Sequence, residues 1–263
     1  MKAKNLAMLL FGLLFIIITV VYVFQYSQLL GNILFLLPPF LAVGCGSYAV
    51  RAYRPTNVHG KSMAMLTSGL FCFFIGELLF FLFQFVFHTN PFPSVADVFY
   101  LAAYPLLLAG FLQEISLHKV NWRNFNKLVL ALMLLLLLSL AFIVAYFGVF
   151  LAYNPGDPVM NNIIATAYGV ADLILIVPSL FILRITLDYR GGALFNSWVL
   201  ILLALILMMA GDILFAIFKN RYATLVWPYT LIDLAWTGSY LFFAYSFFYT
   251  AATIKELNSK LLK

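Results

Sequence analysis

The charged residues of this chain are confined to a few places. Its 15 Lys and Arg and its 9 Asp and Glu, in 263 residues, fall almost entirely in short gaps between long apolar runs. The hydrocarbon core of a bilayer, about 30 Å thick, is crossed by roughly 20 apolar residues rising 1.5 Å each. Eight segments of that kind follow one another, over 5–26, 30–50, 64–87, 96–117, 127–151, 160–186, 194–218 and 226–254. Membrane barrel strands alternate apolar and polar residues, whereas LVLALMLLLLLSLAFIVAYF is apolar on every face. The expected fold is all-α: a polytopic integral membrane protein of about eight transmembrane helices, one domain over 1–254, with a tail at 255–263.

Lysine and arginine set the expected orientation. With the N-terminus in the cytoplasm, thirteen of them lie on the cytoplasmic side and only Lys219 and Arg221 outside. The expected location is the cell membrane, multi-pass, with both termini cytoplasmic and the bilayer as the first partner. The net charge of +6 is this bias summed over the loops and implies no nucleic acid. Lys2 and Lys4 precede the first apolar run as in a signal peptide, but the run is long and no small-x-small cleavage pattern follows, so a retained helix is expected. Cys45 and Cys72 sit inside apolar runs without clustered histidines, so neither a structural disulfide nor a metal site is expected, and no cofactor. In the loop HTNPFPSVAD (88–97), Ser94 is placed to cap the next helix.

The sequence also repeats itself. GELLFFLF (76–83) is echoed by GDILFAIF (211–218), and DVFYLAAY (97–104) by DLAWTGSY (233–240), with almost the same spacing. Four segments separate the copies, so pseudo-repeats of about 1–118 and 119–254 would share one orientation, a parallel four-plus-four duplication. Chance likeness among Phe- and Leu-rich helices is the alternative, but the matched positions include the rare acids.

Those acids carry whatever chemistry is present. Glu77, Asp97, Asp172, Asp212 and Asp233 lie within or at the edge of apolar segments, where an ionised carboxylate costs several kcal/mol unless it is paired, solvated or protonated. All five fall in the outer half or near the midplane, which suits one ligand-binding pocket open to the outside. No Lys or Arg within the segments is on hand to neutralise them. The partners on offer are Tyr100 and Tyr104, on the helix face of Asp97, and Trp236 and Tyr240, on that of Asp233. Tyr168 and Ser239 are further donors, with Gln84 and His88 nearer the rim, and pairing between helices is expected over pairing along one. The plain alternative is interhelical glue, each acid bonded across a helix interface. A retinal Schiff base has no deep lysine, His59, His88 and His118 are scattered on both sides, and GxSxG and HExxH are absent.

The stretch PFPSVADVFYLAAYPLLLAGF (91–111) resembles a run in the multi-helix N-terminal membrane regions of bacterial and archaeal signalling proteins, which are followed by GGDEF-type cyclase, phosphodiesterase, PAS or histidine-kinase modules. Asp172 and the D-x-x-W at Asp233 to Trp236 resemble later helices of the same regions. The resemblance implies a sensory input module that reads a small or lipid-soluble signal and transmits it to a cytoplasmic domain or partner protein through the last helix and ATIKELNSKLLK (252–263). That tail reads as amphipathic, with Ile254, Leu257, Leu261 and Leu262 on one side. The chain stops at Lys263 with no output domain, which departs from that pattern. The eight-helix plan with paired G-[DE]-x-L also resembles lysoplasmalogenase-type membrane hydrolases; Glu77 and Asp212 would then be catalytic, an acid and base acting on water. A proton-coupled transporter is the third reading. Oligomeric state is not legible.

Overall fold

The computed structural model describes residues 3–117, 127–187, 194–222, 224 and 227–261, and among them there is helix and no strand. Lys2, His118, Lys119, Arg123, Arg190, Leu262 and Lys263, which the sequence reading assigns to a side of the membrane or to the tail, lie outside the described residues. The helices are α1 (Ala3–Phe24), α2 (Gln28–Phe35), α3 (Leu37–Tyr53), α4 (Val58–Phe81), α5 (Val95–Ser116), α6 (Lys127–Ile143), α7 (Val159–Leu187), α8 (Phe195–Tyr222) and α9 (Asp233–Leu261). α4 and α6 each run on into a π-helical end, Leu82–Val86 and Val144–Leu151.

Among the described residues, seven helical spans are long and apolar enough to cross a membrane, α2 and α3 together making one of them. The chain is a multi-pass membrane protein. Large apolar side chains point outward all along α6, with Leu135 61 % and Phe142 65 % exposed, as expected of a surface solvated by lipid. The eighth span is α9, as long as the others at 29 residues but diluted by Ser, Thr and Tyr. It lies against α1, α3 and α8, and its Thr237, Ser239 and Ser246 are fully buried. A helix surrounded by helices does not have to be as apolar as one facing lipid.

Several boundaries differ from the sequence reading for physical reasons. The expected helix over 30–50 is broken at Leu36, because Pro38 and Pro39 lack N–H groups and fit only the first turn of a new helix. α4 starts at Val58, not 64, where the Asn57 side chain accepts from the His59 N–H at 3.1 Å. α9 begins at Asp233 after a 3₁₀ turn, Tyr229–Ile232, and stays helical to Leu261, within the expected tail. α8 runs past 218 to Tyr222, so Lys219, read as a loop charge, is buried: its Nζ lies 3.1 Å from Asp157 Oδ2 and donates to Asn162 Oδ1 at 2.8 Å.

Successive spans reverse direction, which brings both described ends to one face, where Lys4 and Glu256 pair at 3.0 Å. Asp157 and Lys219 clasp the opposite face. Burial raises the Asp157 carboxyl, but hydrogen bonds from Lys219, Asn220 and Asn154 outweigh it and hold the group below its ordinary value. A depressed folded value means that this stabilisation is present above the unfolded value of about 3.9 and is lost as pH falls below it. Acid unfolding scans of Asp157→Asn should therefore lack a step below about pH 4 that the parent shows.

Candidate functional site

The two G-[DE] copies sit at matching places. Glu77 is on α4 nine residues before Val86, and Asp212 is on α8 ten residues before Tyr222. At about 1.5 Å per residue both acids lie some 13–15 Å below the clasped face. Tyr100 of α5 donates to Glu77 Oε2 at 2.8 Å, and Trp236 of α9 donates through Nε1 to Asp212 Oδ1 at 2.7 Å. These are corresponding residues of the two copies, each bonding the acid of its own copy. The second donors cross over: Tyr240 donates to Glu77 Oε1 at 2.8 Å, and the Tyr104 hydroxyl lies 3.0 Å from Asp212 Oδ2. Each acid is thus held by one aromatic donor from each half.

The glycine before each acid makes this geometry possible. A Cβ on Gly76 would sit 2.6 Å from the Tyr100 ring, and one on Gly211 2.5 Å from Trp236 Nε1. Both rings lie on bare backbone next to the acid they bond. Gly211→Ala is expected to push the indole off Asp212 at a cost of about 2 kcal/mol, read as a lowered unfolding free energy together with a red-shifted emission from Trp236 when it is the sole tryptophan.

Asp172 of α7 joins the network through Tyr104, whose hydroxyl is also 3.0 Å from Asp172 Oδ1. A hydroxyl has one proton, so it donates to one carboxyl and accepts from the other, and both bonds form together only when Asp172 or Asp212 carries a proton. Asp172 is completely buried, and its Oδ2 finds no hydrogen-bond partner among the described residues.

Asp97 and Asp233 are placed differently. Asp97 closes a capping box, its Oδ2 accepting the Ser94 N–H at 2.6 Å, while Oδ1 accepts from the Tyr168 hydroxyl. Asp233 opens α9 and accepts from Tyr222 at 2.6 Å; a carboxylate suits the positive end of a helix. Asp97 faces the same cavity as Glu77 and Asp212, whereas Asp233 stands behind Tyr222 and does not line it.

That cavity, about 50 Å³ counted over positions open to a water's centre, has room for a few waters. Ten of its fourteen lining residues are aromatic, so its wall is a shell of aromatic rings interrupted by three carboxyl groups. A smaller vestibule of about 30 Å³, lined by Asn90, Asn161, Lys219 and Asn220, shares Phe80, Phe92, Phe215 and Tyr222 with it and leads towards the clasped face.

Phe215, Lys219 and Tyr222 belong to this site and escape the sequence reading, although i+3, i+7 and i+10 from Asp212 put them on its helix face. A second cluster also escapes it: buried Glu114 bonds His59 Nδ1 at 2.9 Å, with Tyr53 stacked on the imidazole, near the face of the termini. Among the described residues no three His, Cys, Asp or Glu gather where a metal could be held.

Comparison with protein-family models, with curated proteins and with solved structures gives no match for this chain.

Proposed function

We propose that the protein is a membrane-embedded sensory module whose cavity, entered from the outer side, binds a small molecule and signals to the cytoplasm through α9. The observation that supports this best is the continuity of α9. Its outer turns supply Trp236 and Tyr240, which hold Asp212 and Glu77, and the same unbroken helix reaches Leu261 at the opposite face. A ligand that competes for either carboxyl group shifts α9 in proportion to its preference for one packing over the other. The orientation rests on the cationic side chains at the face of the termini, Arg51, Arg54, Lys127 and Lys255 among them, facing Lys219 and Arg221 at the other.

A lysoplasmalogenase-like hydrolase is the second reading, favoured by Glu77 and Asp212 sharing one water-sized cavity. The protein in lipid nanodiscs, exposed to a panel of small polar molecules and to lysolipids, separates the two. The sensory reading expects compounds that raise the thermal midpoint without turnover, an effect lost on Glu77→Gln. Release of a free aldehyde or fatty chain, abolished by Glu77→Gln, would replace it with the hydrolase.

A further inference from the structure

We propose that the ligand of this cavity is a small organic ammonium ion, protonated or quaternary, taken up as a cation between the aromatic rings and the carboxyl groups. This deepens the sensory reading and rests on it.

Charge gives the sign. Glu77, Asp97 and Asp212 line the space, Asp172 adjoins it through Tyr104, and among the described residues no Lys, Arg or His lines it. Lys219, the buried cation of the vestibule, is engaged by Asp157 and Asn162. An anion entering here would meet carboxyl groups and the negative faces of aromatic rings.

The wall gives the class. Small metal cations need about six oxygen ligands, and here both oxygens of Glu77 and both of Asp212 already accept aromatic donors. A quaternary alkylammonium is weakly hydrated, a protonated one needs only a few acceptors, and π faces stabilise either by about 0.5–2 kcal/mol at each good contact. Phe73 is the central ring, its centroid 5.6–6.4 Å from those of Tyr100, Tyr104 and Tyr240, so four aromatic rings cluster beside Glu77. Asp172 Oδ2, wholly buried next to this group, finds no hydrogen-bond partner among the described residues.

Volume sets the size. A space for a few waters admits a methylated ammonium head and excludes a diacyl lipid or a nucleotide.

The test uses the full chain in nanodiscs of neutral lipid. Thermal midpoints are read against tetramethylammonium, choline, the uncharged choline isostere 3,3-dimethylbutan-1-ol, and potassium chloride at matched ionic strength. The expected result is saturable stabilisation by an ammonium ion at concentrations on the order of tenfold below any effect of the isostere, with none from potassium. Asp212→Asn should weaken that stabilisation by about tenfold; Phe73→Leu, which keeps the wall apolar and removes a ring, should do the same if the first variant folds poorly. Equal stabilisation by the isostere, equal stabilisation by potassium, or no effect of either ammonium ion each overturns the proposal. A neutral compound acting through Glu77 would overturn it while leaving the sensory reading standing, and lysolipid turnover would overturn both.

Discussion

Asp212→Ala is expected to destabilise the protein by about 3 kcal/mol. The substitution removes the acceptor of Trp236 Nε1 and one of the two hydrogen-bond partners of Tyr104, leaving buried polar groups around an apolar stump. A hydrogen bond to a charged group is worth about 1.5–3 kcal/mol in soluble proteins, whereas those between membrane helices average nearer 0.6, because displaced donors find other partners. Water entering the cavity would rescue Trp236, and Asp172 still holds Tyr104, which keeps the loss at about 3 kcal/mol rather than at the sum of the bonds. Asp212→Asn retains an acceptor oxygen and should cost about 1 kcal/mol. Unfolding in mixed micelles measures both, and a double-mutant cycle with Trp236→Phe should return a coupling of about 1 kcal/mol.

Gly110→Val is expected to cost about 3 kcal/mol by a different route. α4 and α5 form the most intimate pair in the bundle, with Ser62 of α4 donating to the Gly110 carbonyl at 2.9 Å. A Cβ at Gly110 would come within 2.8 Å of the Leu66 side chain and 3.1 Å of its backbone nitrogen, and Leu66 has no exposed surface into which to retreat. Membrane helices associate through such small-residue contacts, and filling one forces the backbones apart. Gly12→Val is the control: a Cβ there meets nothing within 4 Å, and the same unfolding assay should register less than about 0.5 kcal/mol. Equal losses at the two glycines would show that helix propensity, not the α4–α5 contact, sets the cost.

Much of this architecture is legible in the sequence because lipid is a demanding solvent. Every backbone polar group must be satisfied within the bilayer, so long apolar runs read directly as helices. The acids Glu77 and Asp212 and the donors Tyr100 and Trp236 are legible, but their pairing across helices is not. Nor are the crossed bonds from Tyr240 to Glu77 and from Tyr104 to Asp212, because they depend on how two helix pairs dock, which no local pattern encodes. Asp233 is misjudged for a related reason: its position opposite Asp97 in the repeat suggests a place in the cavity, yet Tyr222, ten residues along α8 from Asp212, stands between. Lys219 looks like a loop charge because nothing in its neighbourhood reveals that Asp157 and Asn162 fold back to meet it. The break at Leu36 was available in Pro38 and Pro39, but two short helices stacked end to end span a membrane as well as one.

The central claim, that occupancy of the cavity moves α9, is tested most directly at the far end of that helix. A spin label at Ser259, in a protein whose Cys45 and Cys72 have been replaced, reports the exposed inner turn of α9 some 35 Å along the helix from Trp236. Saturating ligand should change the distance between this label and one at Lys61, and Asp212→Asn should move that change to about tenfold higher ligand concentration. Identical distances with and without a ligand that demonstrably stabilises the protein would contradict transmission through α9.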